Sequence, residues 1–281
     1  MSCKIIGISG RKQSGKNSSA NHLNGVILQQ RGVVSDFNML ETGELNVLTK
    51  FENGKEDWGV LDLYRKDYTF LEAAENRIFP FVKNYSFADS LKEAAINLFE
   101  LKPSSAYGTD AQKMETTHLR WEDMPGVITP STINANSDNL LCDGAEEIHQ
   151  DIANGLGLIL HSEGMMTGRE FLQFFGTEIG RKMHGPIWVN ATINKIKAEQ
   201  SGLAIVTDVR FPDEVQAIKD AGGYVIRLDR EMFQDDHPSE VALDADVYDW
   251  GNFDAVINNQ DLALTDACAL VEKFARSNYL I

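Results

Sequence analysis

The chain has 281 residues, 43% of them apolar and 24% charged, which is typical of a folded globular protein and excludes a disordered chain. Its 26 lysines and arginines against 42 aspartates and glutamates leave a net charge of −16, so we expect no nucleic-acid polymer as a partner. The apolar runs are too short for a membrane span or a signal peptide, so no membrane partner is expected.

The cysteines point to a reducing compartment. Cys3, Cys142 and Cys268 are far apart in the sequence and form no CxxC pair. This usage is typical of free thiols and argues against a disulfide framework or a cysteine zinc site. Together with the acidic charge, it predicts a cytoplasmic protein.

A glycine-flanked loop, GRKQSGKNS at residues 10–18, follows a predicted buried strand over Lys4–Ser9. The loop nearly matches GxxxxGK[ST], in which backbone N–H groups surround a phosphate and the lysine reaches the β- and γ-phosphates. Gly10, Gly15 and Lys16 therefore predict a phosphate site at the start of the next helix. Asn17 stands where serine or threonine normally binds Mg²⁺, and Ser18 follows one residue later.

The segment after the loop predicts a helix over Asn17–Arg31 and then a change to strand periodicity. Apolar residues alternate from Gly43 to Tyr64 around an Asn53-Gly54 pair, which is typical of a hairpin turn. We therefore expect a β-hairpin inserted after the first helix.

Residues 121–168 contain eight acids and no lysine or arginine. The carboxylates lack the spacing of a calcium loop, so this stretch is interpreted as an acidic surface insertion.

The remaining pattern predicts an α/β fold with a mostly parallel sheet, because strands alternate with helices. Ligands of such sheets bind beyond the carboxyl ends of the strands. Helices are expected over Asp89–Leu101, Arg169–Lys182, from Pro186 to about Lys197, from Pro212 to Gly222, and from an Asp261 cap to about Arg276; strands are expected over Leu203–Thr207, Tyr224–Leu228 and Ala255–Ile257.

Asp208 and Arg210 follow a predicted strand at the edge where such sites form. Asp208 is suited to hold Mg²⁺ through water or to orient Arg210. The alternative is an acid at a helix start and a surface salt bridge. A second cationic cluster around Arg169 ends the cation-free stretch, and arginine suits phosphate recognition through its paired donors.

Taken together, these segments resemble the deoxynucleoside monophosphate kinases of tailed bacteriophages. The arginine–LQxxGTE segment and the DVRFPDE–GG–HxSE string are more specific than the phosphate loop. The segments are SGRKQSGKNSS (9–19), YSFADSLKEA (85–94), MTGREFLQFFGTEIGR (166–181), IWVN (187–190), TDVRFPDEVQAIKDAGGYVIRLDR (207–230), HPSE (237–240) and FDAVINN (253–259).

The resemblance implies a P-loop kinase fold of the nucleoside monophosphate kinase type, and transfer of the ATP γ-phosphoryl group to a deoxynucleoside 5′-monophosphate. It implies one domain over residues 1–281, with insertions at about 36–68 (the hairpin) and about 118–165 (acidic and lid-like). We expect residues 118–185 to close as a lid that excludes water. A homodimer is expected from the family.

The resemblance also implies roles for individual residues. Relatives commonly have an acid where Asn17 stands and often an arginine where Gln13 stands. The implied ATP site is Gly10, Ser14, Gly15, Lys16, Asn17 and Ser18; the acceptor site is Lys12, Gln13, Arg169, Gly176, Thr177 and Trp188; the Mg²⁺ site is Asn17, Ser18 and Asp208; and the catalytic residues are Lys16, Arg169, Asp208 and Arg210.

Two alternative functions remain open at the level of sequence. Another small-molecule P-loop kinase, such as one of the dephospho-coenzyme A kinase type, would share the loop and prefer a different acceptor. A non-catalytic nucleotide-binding module would bind ATP without transferring its phosphoryl group.

Overall fold

The structure is a computed structural model that describes residues 3–50, 53–130, 157–230 and 238–281, with the side chains of Pro238 and Ser239 excepted. Five carboxylates of the predicted acidic insertion, between Asp138 and Asp151, and Cys142 lie outside the described residues. The chain divides into two units, which are described separately: unit 1 is residues 1–90 and 186–281, and unit 2 is residues 91–185. The assignment of residues 1–281 to a single domain stays a prediction.

The described strands and helices follow in chain order. The strands are β1 (Lys4–Gly10), β2 (Asp36–Met39), β3 (Leu45–Lys50), β4 (Glu56–Val60), β5 (Val82–Tyr85), β6 (Thr116–Arg120), β7 (Val127–Ile128), β8 (Ile159–Leu160), β9 (Met165–Thr167), β10 (Leu203–Val209), β11 (Tyr224–Asp229) and β12 (Ala255–Asn258). The helices are α1 (Lys16–Gln30), α2 (Tyr68–Arg77), α3 (Phe87–Phe99), α4 (Pro103–Tyr107), α5 (Asp110–Lys113), α6 (Gly168–Gln173), α7 (Ile187–Glu199), α8 (Pro212–Asp220), α9 (Pro238–Val241) and α10 (Leu264–Ser277).

A five-stranded sheet in the order β12-β11-β1-β10-β5 forms the centre of unit 1, and all its neighbouring strands are parallel. Strands β1 and β10 at its centre are almost entirely buried because helices cover both faces. Ile6 and Ile8 of β1 enter one buried cluster together with residues of α1 and α10, whereas Ile5 enters a second cluster with residues of α7 and α8. The predicted α/β, mostly parallel P-loop kinase-type fold is confirmed.

The order of the strands brings three chain connections to one edge of the sheet. The carboxyl end of β1 lies between those of β10 and β11, because both strands pair with β1. Residues 10–18, Asp208 and Arg230 therefore lie at the carboxyl edge, where ligands of open α/β sheets bind.

The predicted hairpin is formed by β3 and β4, and β2 adds one more strand than expected; that it is an insertion stays a prediction. β3 pairs antiparallel with β4 on one side and with β2 on the other. The last pair toward the Asn53-Gly54 turn is Lys50 with Glu56. Gly43, in the connection between β2 and β3, has a φ of 83° and packs against the first turn of α1.

The final helix begins later than the sequence indicates. We expected Asp261 to cap it, but the residue before the first helical turn is Ala263 and the helix runs over Leu264–Ser277. Asp261 lies instead in a turn, which is closed by a hydrogen bond from the Leu262 N–H to the Asn259 carbonyl oxygen. The expected cap was therefore wrong by two residues.

Unit 2 has its own small core. Trp121, Phe171 and Phe174 are buried together with Met166, and β6 pairs antiparallel with β9. The predicted helix over Arg169–Lys182 changes character along its length, with an α-helical start over Gly168–Gln173 and a π-helical segment over Phe174–Arg181. Wide turns of this kind occur often at functional sites.

Candidate functional site

The phosphate loop has the backbone conformation that its glycines suggest. Gly10, Gln13 and Gly15 have φ values of 154°, 62° and 95°. A Cβ at Gly10 would lie 2.3 Å from the Ser14 hydroxyl oxygen and 2.9 Å from the Leu228 carbonyl oxygen, so only glycine fits there. A turn with left-handed residues points successive N–H groups to one side and forms an anion-binding concavity.

Lys16 begins α1, and its side chain reaches back across the loop. Its Nζ donates to the carbonyl oxygens of Gly10 at 2.6 Å and Arg11 at 2.7 Å. Burial, and next the charge of Arg210, lower the pKa of Lys16 to about 8. The ammonium is thus held over the loop at the positive end of α1, as a residue that binds phosphates must be.

Ser14 and Asn259 connect the loop to the end of β12. The Asn259 side-chain nitrogen donates to the Ser14 carbonyl oxygen at 2.9 Å, and both residues are buried. The Ser14 hydroxyl is also buried and has no hydrogen-bond partner among the described residues. A buried hydroxyl without a partner in a phosphate loop is consistent with a ligand oxygen as its partner.

Asp208 lies at the carboxyl end of β10 and accepts hydrogen bonds from the start of α3. The donors are the Ser86 hydroxyl at 2.5 Å and the backbone N–H groups of Phe87 and Ala88 at 3.0 and 3.2 Å. Burial raises the pKa of Asp208, and the hydrogen bonds from these three residues oppose that rise. In this structure Asp208 thus caps α3, a helix that the sequence did not connect with it.

Arg210, two residues beyond Asp208, pairs with a carboxylate that we had not selected. Its Nη1 donates to Oε1 of Glu240, and Oε2 of Glu240 accepts the backbone N–H of Lys12 at 2.7 Å. Glu240 thus contacts the Arg210 guanidinium, whereas the hydrogen bonds described above for Asp208 come from Ser86 and α3. That Asp208 orients Arg210, or holds Mg²⁺ through water, stays a prediction.

A second ion-pair network flanks the loop on the side of β11. Asp244 accepts from Nε of Arg11 at 3.2 Å and from Nη2 of Arg227 at 3.0 Å, and Arg227 also donates to the Ser9 hydroxyl at 3.1 Å. Two guanidinium groups therefore share one carboxylate on this side of the loop.

The predicted Mg²⁺ residues offer oxygen ligands, which Mg²⁺ prefers. Asn17 is exposed, and Ser18 packs so closely on the β2–β3 connection that a Cβ at Gly43 would lie 2.1 Å from the Ser18 hydroxyl oxygen. Mg²⁺ usually keeps several waters and takes few protein ligands, so a hydroxyl and a carboxylate that acts through water are donors of the type it accepts.

Three of the six predicted acceptor residues lie in unit 1 and three lie in unit 2. Lys12, Gln13 and Trp188 belong to unit 1, where the first two are exposed and Trp188 is buried on α7. Arg169, Gly176 and Thr177 belong to unit 2.

In unit 2 these three residues differ in exposure. Thr177 is exposed, and Arg169 makes an exposed ion pair with Asp110 at 2.7 Å. Gly176 is buried, and a Cβ there would lie 2.8 Å from a terminal methyl group of Leu91, so a larger residue would require that side chain to shift.

Sequence reasoning missed several residues around the loop, namely Arg11, Arg227, Glu240, Asp244 and Asn259. The segment HPSE carried Glu240 only as part of a resemblance. Arg227 stands inside the buried strand β11, and a buried charge needs a polar partner. This residue was therefore the one indication in the local sequence that a polar contact lies there.

The comparisons with known proteins agree with this geometry. A family model described as deoxynucleotide monophosphate kinase matches residues 82–266, a range that begins after the phosphate loop. A putative deoxynucleotide monophosphate kinase of Acanthamoeba polyphaga mimivirus is 30% identical over 160 residues, which cover 56% of this chain and 67% of the relative.

A deoxynucleoside-5′-monophosphate kinase of Escherichia phage T5 is 30% identical over 115 residues, which cover 36% of this chain and 46% of the relative, less than half its length. The family model spans more than half of this chain and includes Asp208, Arg210 and Glu240. The parallel sheet, the loop at its carboxyl edge and these matches lead to one assignment: the chain belongs to the deoxynucleotide monophosphate kinase family.

Proposed function

We propose that this chain transfers the γ-phosphoryl group of ATP to the 5′-phosphate of a deoxynucleoside monophosphate, yielding ADP and the deoxynucleoside diphosphate. The observation that supports this most directly is the convergence of Lys16, Arg210 and the phosphate loop at the carboxyl edge of the parallel sheet. Family membership supplies the class of acceptor.

The reaction needs positioning and charge neutralisation more than covalent chemistry from the protein. An oxygen of the acceptor phosphate forms a bond to the γ-phosphorus while the bond to the β–γ bridging oxygen breaks. The acceptor phosphate is already a nucleophile, so no general base is required. We assign Lys16 and Arg210 to neutralise the charge that spreads over the transferred group.

The residues that we assign to ATP are those of the loop and the first turn of α1. Backbone N–H groups of the loop and the Ser14 hydroxyl donate to phosphate oxygens, and the N-terminus of α1 adds positive potential. The assigned ATP residues are Gly10, Ser14, Gly15, Lys16, Asn17 and Ser18.

Mg²⁺ is the cofactor that we expect with ATP. When bound, it neutralises charge on the β- and γ-phosphates. Ser18 and Asn17 are the residues that we assign to it directly, with Asp208 acting through water.

The proposed acceptor residues are Lys12, Gln13, Arg169, Gly176, Thr177 and Trp188. Arg169 supports this assignment best, because 45% of its side chain is exposed and its partner Asp110 is 87% exposed. Such an exposed pair contributes little to stability, so a phosphate can replace the carboxylate at little cost. The guanidinium then binds the phosphate through paired donors.

No helix within the described ranges has the length and apolar character needed to cross a bilayer. We further propose that the protein acts in the cytoplasm, of an infected host cell if it is phage-encoded, and that it forms a homodimer.

A coupled assay of ADP release tests the proposed function. Mg²⁺–ATP is supplied with dGMP, dTMP, dCMP, dAMP, GMP or AMP, one at a time. ADP formed with one or more deoxynucleotides supports the proposal and gives the range of bases. ADP with none of them, despite measurable ATP binding, contradicts it and favours a different acceptor or a non-catalytic module.

A further inference from the structure

Glu240 is a buried acid beside the phosphate loop that none of the assigned roles uses. It is 8% exposed and lies on the short helix α9, which follows β11 in the chain. Burying a carboxylate is costly unless it is paired and hydrogen-bonded. In a strongly acidic chain that binds two anions, an acid at this place requires a reason.

Its two oxygens bind two parts of the site that are far apart in sequence. Oε2 accepts the Lys12 backbone N–H at 2.7 Å, across 228 residues, and Oε1 accepts from Nη1 of Arg210, across 30 residues. One carboxylate therefore ties the mouth of the phosphate loop to the arginine that follows β10.

The exposure of the pair is uneven. The Glu240 side chain is 8% exposed and that of Arg210 is 37% exposed. The carboxylate holds the guanidinium from the buried side, and part of the arginine faces outward. An arginine presents five N–H donors in a planar fork, so one edge can bind a carboxylate while another is directed at a phosphate.

Lys16 lies within reach of both charges. Arg210 lowers the pKa of Lys16 and Glu240 raises it, so the three groups form one electrostatic cluster. Without the carboxylate, two cations would repel each other at the loop.

We propose that Glu240 is a positioning residue that holds the Arg210 guanidinium and the mouth of the phosphate loop in the geometry required for phosphoryl transfer. The proposal rests on the proposed function, in which Arg210 neutralises the transferred group. Fixing a flexible arginine before the substrates arrive removes the cost of ordering it during the reaction.

The first test is Glu240→Gln. The amide oxygen can still accept the Lys12 N–H, whereas the charge that holds Arg210 is lost. We expect kcat to fall about 10- to 100-fold, the effect of a misplaced catalytic group, with KM for ATP and for the acceptor changed by less than about threefold. The matched control is Glu199→Gln, which removes another paired carboxylate, 2.6 Å from Lys83 of β5, at the opposite edge of the sheet. We expect the control to leave kcat unchanged.

A double-mutant cycle with Arg210→Met separates positioning from general damage. If Glu240 acts through Arg210, Glu240→Gln has little further effect on kcat once the guanidinium is absent. If the double variant lowers kcat by the product of the two single effects, the residues act independently and the proposal is overturned. A kcat of Glu240→Gln equal to that of the unchanged protein would also overturn it. So would a higher kcat together with tighter ATP binding, since the carboxylate would then compete with phosphate.

Glu240→Asp covers the case in which the glutamine variant does not fold. Aspartate keeps the negative charge on a side chain that is shorter by one methylene group. The kcat of this variant should therefore lie below that of the unchanged protein and above that of an uncharged variant at position 240 that folds. Full activity of the aspartate variant would overturn the proposal, because the length of the side chain would then not matter.

A measurement without turnover distinguishes failure of this inference from failure of the proposed function. In a ¹⁵N–¹H spectrum, the Nε–Hε signal of Arg210, assigned by its loss in Arg210→Met, should be sharp in the unchanged protein. It should broaden or shift in Glu240→Gln and stay unchanged in Glu199→Gln. If the Arg210 signal is the same in Glu240→Gln as in the unchanged protein, the proposal is overturned. If the signal changes as expected but the unchanged protein turns over no deoxynucleotide, only the proposed function is contradicted.

Discussion

Four cations of unit 1 lie at or beside the loop, although the chain carries a charge of −16. Lys16 lies over the loop carbonyls, Arg210 is held by Glu240, and Arg11 and Arg227 share Asp244. Glu240 and Asp244 fix the positions of these guanidinium groups beside the loop. A local positive field is what a protein of this acidity needs to bind two anionic nucleotides.

Replacing the loop lysine tests this field. Lys16→Met should lower kcat by at least about 100-fold, because it removes a charge directed at the reacting phosphates, and should leave the fold intact. ADP release and circular dichroism measure the two effects. Lys273→Met, on the exposed side of α10, is the control and should retain full activity. Near-normal turnover of Lys16→Met would contradict the assignment of the loop.

The lowered pKa of Lys16, about 8, predicts a pH dependence. Only the protonated amine neutralises phosphate, so kcat/KM for ATP should fall as the pH rises through about 8 in the free enzyme. An arginine stays charged over this range, so Lys16→Arg, where active, should show a flat profile. A profile of the unchanged protein that stays flat to pH 9.5 would be inconsistent with a buried, titrating lysine.

Glu214 gives a second, separate pH effect, on stability. Burial, and next the charge of Asp208, raise its pKa to about 8, above the ordinary value of 4.5. Between these two values the folded state binds more protons than the unfolded state. The free energy of unfolding should therefore decrease as the pH rises, with a slope of up to about 1.4 kcal/mol per pH unit.

The glutamine variant tests this slope. Glu214→Gln carries no titrating group and should remove this part of the decrease in urea unfolding measured from pH 5 to 8. Equal slopes in the two proteins would show that Glu214 does not carry the effect.

At the scale of elements, predicted site residues of both units lie at helix starts. In unit 1 the N-terminus of α1 follows the loop and Asp208 caps α3; in unit 2 Thr167 is the N-cap of α6, two residues before Arg169. Thr167 and Glu170 form a reciprocal pair in which the Thr167 hydroxyl accepts the Glu170 N–H at 3.2 Å and the Glu170 carboxylate accepts the Thr167 N–H at 2.7 Å. Such a capping box satisfies two otherwise unpaired donors.

Removing this cap should weaken unit 2. Thr167→Ala should lower the free energy of unfolding by about 1 kcal/mol, the usual cost of a lost cap. If Arg169 binds the acceptor as proposed, KM for the acceptor should also rise. Thr265→Ala, at an exposed position in the first turn of α10, is the control in thermal unfolding. A cap variant as stable as its control would show that the box contributes little.

At the scale of the whole molecule, nucleotide binding should protect two separate stretches of chain from hydrogen exchange. Mg²⁺–ATP alone should slow exchange in residues 9–19, because their N–H groups donate to phosphate. Addition of a deoxynucleoside monophosphate should slow exchange in residues 168–181, where the proposed acceptor residues lie, and in the lid predicted over residues 118–185. Exchange in 118–185 that is unchanged by both nucleotides would contradict the lid and the acceptor assignment.

How far the site could be predicted depends on the distance between partners along the chain. The loop is local: its glycines, its lysine and the flanking strand and helix lie within about 30 residues, so the pattern contains all the information. Glu240 and Asn259 contact residues 12 and 14 across 228 and 245 positions, and no local pattern encodes such pairs. The Arg210–Glu240 pair, across 30 positions, was missed for the same reason.

The sequence by itself determined the class of fold, the phosphate loop and the family, since these depend on apolar periodicity, turn residues and motifs of contiguous residues. The tertiary structure alone decided which carboxylate holds which cation, and that Asp208 caps α3. The sheet order β12-β11-β1-β10-β5 places the ends of β1, β10 and β11 side by side. Charges from three distant segments therefore meet at one edge, and burial makes their pairing obligatory.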